Sequence, residues 1–297
     1  MSFKSAFIAL IGLPNTGKST LINKIFNKKI AIVSNKPQTT RNSIRGILNH
    51  DDYQLVFIDT PGIHDPQDEF GRFLNRESYS NIEGADILYF FIDASKPMRK
   101  RQIELLERIE KEYPEIPLFG IVNKIDLIKK PELVPILLHL SQLAEFDELI
   151  PISALENENI DTLLDLTLNY APEGPAFFSD LDEVDYTLSF QISEIIREKI
   201  LFLTKEELPH HTGVVIESIE KNDKEWVVYA KIIVSKESHK PILVGKQGSM
   251  IKKIRLLAQK ELRSTLNKKI DLELFVSVEK DWRNNPRDLK ELGYIDD

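Results

Sequence analysis

No cysteine occurs anywhere in the chain. Disulfides and thiolate metal sites are therefore excluded, and a reducing cytoplasm is the compartment that fits. Long apolar runs are also missing, and none approaches the roughly 20 residues that cross a bilayer. The first strand-like run, residues 7–13, starts almost at Met1, so no signal or transit peptide is expected. Basic charge is in deficit. The chain has 39 Lys and Arg against 47 Asp and Glu, a net charge of −8. That average argues against a polyanion partner, but it hides a local asymmetry. Lys246, Lys252, Lys253, Arg255, Lys260, Arg263, Lys268 and Lys269 stand close together in sequence with Glu261 as their only acid. Local fields of this kind steer a polyanion whatever the overall charge.

What is present is enough for two domains, since 297 residues exceed one ordinary core. Up to about Tyr170, apolar runs at 7–13, 53–59, 85–93, 117–124 and 148–153 alternate with helical patterns at 18–27, 70–82, 99–113, 131–146 and 159–170. The runs are continuous rather than alternating, as in a parallel sheet covered on both faces. This grammar predicts a doubly wound α/β domain over 1–172. Residues 173–186 read as a linker, because the stretch 171–186 has two prolines, a glycine and a cluster of acids that break both periodicities. Over 187–297 the order changes to helix, two strands, glycine loop, basic amphipathic helix and strand, which predicts a small α+β domain.

The stretch GLPNTGKST, residues 12–20, fits GxxxxGK[ST] between a strand and a helix. Gly12 and Gly17 let backbone amides wrap phosphates at a helix N-terminus. Lys18 reaches the β/γ-phosphates, and the Ser19 hydroxyl ligates Mg²⁺. Three further stretches follow in order, each at a strand end. In DTPG (59–62), Asp59 suits a Mg²⁺ ion and Gly62 offers an N–H to a γ-phosphate. In NKID (123–126), Asp126 accepts two hydrogen bonds from guanine, a pair of donors adenine lacks. In SAL (153–155), the Ala154 N–H suits the guanine carbonyl. ATP is accordingly disfavoured.

This ordered set resembles the GTPase domain of the Ras-like superfamily over residues 5–170. The resemblance implies that Asn123 and Lys124 shape the base pocket and that PQTTR (37–41) is the first switch. Thr40 is the preferred second Mg²⁺ ligand because it precedes Arg41, although Thr39 is adjacent. The nucleotide contacts implied are Gly12, Asn15, Thr16, Gly17, Lys18, Ser19, Thr20, Asp59, Gly62, Asn123, Lys124, Asp126, Ser153, Ala154 and Leu155. Catalytic contributions fall to Lys18, Thr40, Gly62 and Asn15. Ras-like enzymes carry a glutamine after DxxG. Here that position is Ile63, followed by His64, which reads as an exposed loop histidine. Slow intrinsic hydrolysis is expected, and Asn15 is placed to help hold a K⁺ ion, as in the potassium-using branch.

A second glycine pair, Gly245-Lys246-Gln247-Gly248, is too short to be another phosphate loop, and no lysine follows Gly248. GxxG before a helix instead resembles the KH domain, here of type II, where the loop clamps a nucleic-acid backbone. The RNA contacts implied are Gly245, Lys246, Gln247, Gly248, Ser249, Lys252, Lys253 and Arg255. Together with EIIREKIL (194–201) and EELPHHTGV (206–214), the set resembles the Era family of the TrmE-Era-EngA-like GTPases. Those are bacterial GTPases that assist small ribosomal subunit assembly. The resemblance implies binding of the single-stranded 3′ region of 16S rRNA, action on the 30S subunit and peripheral contact of a cytoplasmic protein with the inner membrane; a monomer is the default expectation, and no DNA partner is expected. Other readings fare worse. A tRNA-modifying enzyme would need chemistry outside the GTPase unit, and His210, His211 and His239 come without a convincing acid–base partner. A two-GTPase-domain factor needs a second phosphate loop. A membrane-scaffolding GTPase needs a long helical extension.

Overall fold

The computed structural model describes residues 2–34, 36, 38–222 and 224–294. Pro37 of the PQTTR stretch and Asp223 of the expected hairpin turn lie outside the described residues. The chain divides into two compact units. One comprises Met1–Asp65 with Leu74–Asp185, the other Pro66–Phe73 with Tyr186–Asp297.

The first unit is built on a six-stranded sheet. Its strands are β1 (Lys4–Gly12), β2 (Ile44–Asn49), β3 (Tyr53–Asp59), β4 (Ile87–Asp93), β5 (Leu118–Asn123) and β6 (Glu148–Ile152). They lie in the order β2-β3-β1-β4-β5-β6. All neighbours run parallel except β2, which is antiparallel to β3. Helices α1 (Lys18–Ile25), α2 (Glu69–Glu83), α3 (Lys100–Glu112), α4 (Lys130–Leu143) and α5 (Ile160–Tyr170) follow in chain order. β4 explains the continuous apolar runs, because every one of its residues is buried. α3 is amphipathic and turns Leu105, Leu106 and Ile109 to the core. The order of strands reverses around β1. A ligand crevice forms at such a point, beyond the carboxyl ends of the strands. Gly12, Asp59, Asp93 and Asn123 end four of those strands.

β2 is the element absent from the sequence reading. It is an edge strand, interrupted by Gly46 and carrying Arg45 and Asn49. Its outer edge is covered by residues of the stretch expected as a linker. Ile47 N donates to Glu183 O (2.9 Å), and Asp185 N donates to Arg45 O (3.2 Å). The Asn49 side chain donates to Asp180 O (3.2 Å) and Asp182 O (2.7 Å). Those bonds satisfy an edge that would otherwise recruit another chain.

The second unit comprises α6 (Leu188–Leu203), β7 (Thr212–Lys221), β8 (Trp226–Val234), α7 (His239–Val244), α8 (Ser249–Leu266), β9 (Ile270–Val278) and α9 (Pro286–Glu291). The sheet order is β7-β8-β9, with β7 antiparallel and β9 parallel to β8. Thr187 caps α6 by accepting from Phe190 N. Ile192, Ile196 and Ile200 of α6 and Ile254, Ala258 and Leu262 of α8 pack with Val228, Ala230 and Ile232 of β8 in one core. Within the same unit Phe70 is fully buried beside Trp282 and Tyr294, and Arg283 pairs with Asp68. α7 is absent from the order expected for 187–297; its Pro241 sits early in a short helix, where the missing N–H costs little.

Candidate nucleotide site and nucleic-acid interface

The phosphate loop joins β1 to α1, and its two glycines are held by contacts rather than by flexibility. Gly12 has φ 145°, and a Cβ there would lie 2.9 Å from Phe91 O. Gly17 has φ 102°, and a Cβ would lie 2.1 Å from Asn123 Nδ2. Only glycine fits either place. A cavity of about 140 Å³ opens above the loop, lined among others by Lys18, Ser19, Gln38, Thr40, Gly62 and Lys124.

Asp59 and Lys18 are the charged centre. Asp59 has no exposed surface and Lys18 is buried. Burial pushes the Asp59 carboxyl above its ordinary range, opposed by Lys18 and by hydrogen bonds from Ser19 and Thr40. Burial pushes Lys18 down to about 8, opposed by the charge of Asp59. The Lys18 ammonium donates to Gly12 O and Leu13 O, both at 3.3 Å. Ser19 Oγ donates to Asp59 Oδ2 at 2.5 Å, Thr40 Oγ1 donates to the same oxygen at 3.1 Å, and the two hydroxyls are 3.1 Å apart. Of the two adjacent threonines, Thr40 is the one in this cluster, while the Thr39 hydroxyl bonds to Lys36 O. Asp59 Oδ1 is buried without a hydrogen-bond partner among the described residues. Three hard oxygen groups, one of them a carboxylate with an orphaned oxygen, form a donor set suited to Mg²⁺.

The base side is assembled from β5, β6 and the loops after them. Asn123 is buried and donates to Thr16 O (2.9 Å), which ties the NKID stretch to the phosphate loop. Its Oδ1 accepts from Lys124 N (2.8 Å) and from Ala154 N (3.0 Å). The Ala154 N–H, expected to meet a guanine carbonyl, is thus engaged with Asn123, and a base would have to share it. Lys124 adopts φ 68° and its ammonium bridges Asn15 O and Asp93 Oδ2, both at 2.7 Å. Asp126 is exposed and accepts from the buried Ser153 hydroxyl at 2.6 Å, which fixes its orientation. Thr16 is buried, with its hydroxyl turned to Leu13 O (2.9 Å). Thr20 lines the cavity, and Leu155 is exposed. Asn15 is exposed with φ 65°. Asp93 was missed in the sequence. Its signal was an acid ending a wholly buried strand, and the register opposite Asn123 gives it its place.

Gly62 packs on the loop, where a Cβ would lie 2.8 Å from Pro14 N. Ile63, the position after DTPG, is buried in the hydrophobic core.

In the second unit the GKQG loop joins α7 to α8. Gly245 (φ 75°), Gln247 (φ 52°) and Gly248 (φ 76°) are all left-handed. A Cβ on Gly245 would lie 2.7 Å from Met250 N, whereas Gly248 opens on empty space. Lys246, Gln247, Ser249, Lys252 and Lys253 are exposed. Arg255 is different, being half-buried and 3.4 Å from Glu273. Arg263 is spent on Ile270 O (3.0 and 2.8 Å). Lys246, Lys252 and Lys253 therefore set exposed positive charge at the start of α8, beside its N-terminal amides. His211 and His239 face each other at 5.8 Å between ring centroids, and burial lowers the pKa of both. The backbone oxygen of His210 accepts from Arg283. Among the described residues no cluster of three or more histidines and acids is placed to hold a metal ion.

The depressed Lys18 has a consequence for binding. Phosphate beside the ammonium restores its charge, so binding takes up a proton once Lys18 is neutral in the free protein. Affinity for GDP is expected to be flat below about pH 7 and to fall by up to about tenfold per unit as pH rises through about 8. Calorimetry at about pH 8.5 in two buffers of different ionisation enthalpy should show proton uptake. No uptake with an unchanged affinity would contradict it.

Comparison with known proteins agrees with both units. Residues 7–124 match the family described as 50S ribosome-binding GTPase, and residues 207–283 match the KH domain. The chain is 45% identical over 292 residues to GTPase Era of Clostridium kluyveri, covering 98% of this chain and 99% of that one. It is 43% identical to GTPase Era of Leuconostoc citreum, covering 99% and 97%. Among solved structures it is similar to an Era variant of Aquifex aeolicus bound to GDP and AlF4−, with TM-score 0.93, 35% identity and coverage of 98% and 99%. It is also similar to Era in complex with MgGDPNP and nucleotides 1506–1542 of 16S ribosomal RNA, with TM-score 0.94, 36% identity and coverage of 98% and 99%. A phosphate loop, a guanine-type base pocket and a GxxG loop in one chain, matched end to end by these relatives, place the protein in the GTPase Era family.

Proposed function

We propose that this protein is a GTP-hydrolysing switch that binds the single-stranded 3′ region of 16S rRNA and assists assembly of the 30S subunit. The observation that carries the reading is the end-to-end likeness to the Era protein described with MgGDPNP and 16S rRNA nucleotides. The family description that names the 50S subunit spans residues 7–124 alone. The RNA in the full-length complex is from the small subunit, and the small subunit is therefore the favoured partner.

The residues divide the work. Amides of the loop between Gly12 and Gly17 cradle the phosphates, and Lys18 sets its charge against the β/γ oxygens. Asp126 selects guanine, with Asn123 and Lys124 building the pocket around the base. Ser19, Thr40 and Asp59 would hold Mg²⁺, which when bound neutralises charge on the β- and γ-phosphates. Thr40 and Gly62 read the γ-phosphate, so the loops around 36–45 and 62–75 order with GTP and release after hydrolysis. Lys246, Lys252 and Lys253 supply charge to an RNA backbone gripped at Gly245 and Gly248. Arg255 would join them by exchanging Glu273 for a phosphate. The Era resemblance also carries peripheral contact of a cytoplasmic protein with the inner membrane, and a monomer is the default. Peripheral contact needs no spanning helix, and among the described residues none is long and apolar enough to cross.

Asn15 would help to hold a K⁺ ion, which when bound would supply positive charge to offset the negative charge that develops on the phosphates. Turnover is expected to be on the order of tenfold faster in KCl than in NaCl, and Asn15→Ala to abolish the difference. Equal rates in the two salts for the wild-type protein would remove K⁺ from the account.

The RNA assignment has a clean variant. Gly248 faces open space, and aspartate tolerates a left-handed backbone, so Gly248→Asp should fold. Its carboxylate repels phosphate. RNA affinity should fall by at least about tenfold with GTP hydrolysis retained. Trp226 and Trp282 both lie in the second unit, so their fluorescence reports whether that unit is intact. Undiminished RNA binding by a folded Gly248→Asp protein would refute the assignment of this loop.

A further inference from the structure

The burial of Ile63 leaves the water-orienting task of a Ras-like GTPase without its usual side chain. The residue after it is far from idle. His64 is half-buried, not an exposed loop histidine. Its backbone is clamped by Asn75, whose side chain accepts from His64 N (3.2 Å) and donates to His64 O (2.7 Å). The ring Nδ1 lies 3.0 Å from Gly62 O. A carbonyl oxygen only accepts, so Nδ1 carries the proton in this contact. In the neutral ring Nε2 is then an acceptor, and it lies 2.8 Å from Gln38 Nε2, which donates to it.

Gln38 belongs to the PQTTR stretch of the first switch. Its backbone is left-handed at φ 56°, and its side chain lines the same cavity as Lys18, Thr40 and Gly62. With the amide nitrogen committed to His64, the amide oxygen is the end that remains. Among the described residues it has no hydrogen-bond partner.

We propose that Gln38 supplies from the first switch the amide that Ras-like enzymes carry after DxxG, and that His64 fixes which way that amide faces. Gln38 is then a catalytic residue that accepts a hydrogen bond from the attacking water. His64 is a positioning residue that acts through it. In the reaction the water oxygen forms a bond to the γ-phosphorus while the bond from that phosphorus to the β–γ bridging oxygen breaks. GDP leaves with the electron pair, and the proton of the water ends on the released phosphate. Gln38 orients the water and exchanges no proton. Because the amide is held only while residues 38 and 64 meet, hydrolysis requires both switches to be closed at once.

The inference rests on the reading of this site as a GTPase, and one experiment separates the two. Single-turnover GTP hydrolysis is measured for the wild-type protein, Gln38→Ala, His64→Ala, His64→Gln and the Gln38→Ala/His64→Ala double variant. Affinities for GDP, for a non-hydrolysable GTP analogue and for GDP with aluminium fluoride are measured alongside. Gln38→Ala and His64→Ala should each slow hydrolysis by at least about tenfold and weaken the aluminium fluoride complex in step, with GDP and GTP-analogue affinity within about twofold of wild type. The double variant should be no slower than the slower single one, since the two residues act as a unit. His64→Gln keeps an acceptor for the amide and should recover most of the rate. Variant rates within about twofold of wild type, effects that multiply in the double variant, or losses of GDP affinity equal to the losses of rate would each overturn the proposal. A folded wild-type protein that hydrolyses no GTP would overturn the GTPase reading with it.

Discussion

At the end of β3 a carboxylate without exposed surface, Asp59, sets the layout of everything around it. A buried charge is tolerated only with partners. Lys18, Ser19 and Thr40 provide them, and each is fixed in return. Lys18 opens α1 where the phosphate loop ends, Ser19 is its neighbour, and Thr40 comes from a separate segment of the chain. One oxygen of Asp59 is satisfied by the two hydroxyls, and the other is left as a buried acceptor. Such an atom is costly for folding alone. It makes sense as the anchor of a cation that accompanies phosphates. The same cluster ties the first switch to the sheet through a single hydroxyl, that of Thr40, so whatever changes the occupancy of Asp59 is felt by the residues preceding β2.

Two glycine loops in this chain do opposite things with the same residue types. In the first, added Cβ atoms at Gly12 and Gly17 would strike backbone and Asn123, so the loop is a closed cradle packed from behind. In the second, only Gly245 is crowded, by Met250, and Gly248 stands open. A closed cradle encloses the phosphates of one small ligand. An open pair of left-handed residues above a basic helix start can accept a polymer passing across it. Spacing decides the difference: four residues between the glycines wrap a phosphate group, and two make a clamp.

Much of the first unit was legible because a parallel sheet buried on both faces writes continuous apolar runs, and because every nucleotide motif falls at the carboxyl end of such a run. β2 escaped that logic. It is an antiparallel edge strand whose hydrogen-bonding partners include residues about 140 positions later, so its strand character comes from tertiary pairing and not from its own pattern. The boundary near residue 173 was drawn from composition, while the backbone pairing of residues 183–185 follows β2. Residues 66–73 carry no compositional mark of belonging with the second unit, yet Phe70 is fully buried there with Trp282. Thr39 and Thr40 are indistinguishable in one dimension, whereas in space it is the Thr40 hydroxyl that meets Asp59 and the Thr39 hydroxyl that bonds to Lys36 O. Basic residues were counted alike in the sequence, but Arg255 and Arg263 bond within the fold whereas Lys246, Lys252 and Lys253 stay exposed. The pairing of Gln38 with His64 depends on a left-handed backbone and on the tautomer imposed by Gly62, and no sequence pattern announces either.

The central claim is that one chain converts the state of a guanine nucleotide into a grip on RNA. The measurement that tests it most directly is RNA binding by the intact protein in KCl with Mg²⁺. A short single strand matching the 3′ end of 16S rRNA is compared with a scrambled strand, each with a non-hydrolysable GTP analogue, with GDP and without nucleotide. The account predicts binding that is selective for the matching strand and tightest with the GTP analogue. Binding that ignores both sequence and nucleotide, and that fades steeply with salt as a purely electrostatic contact does, would contradict it.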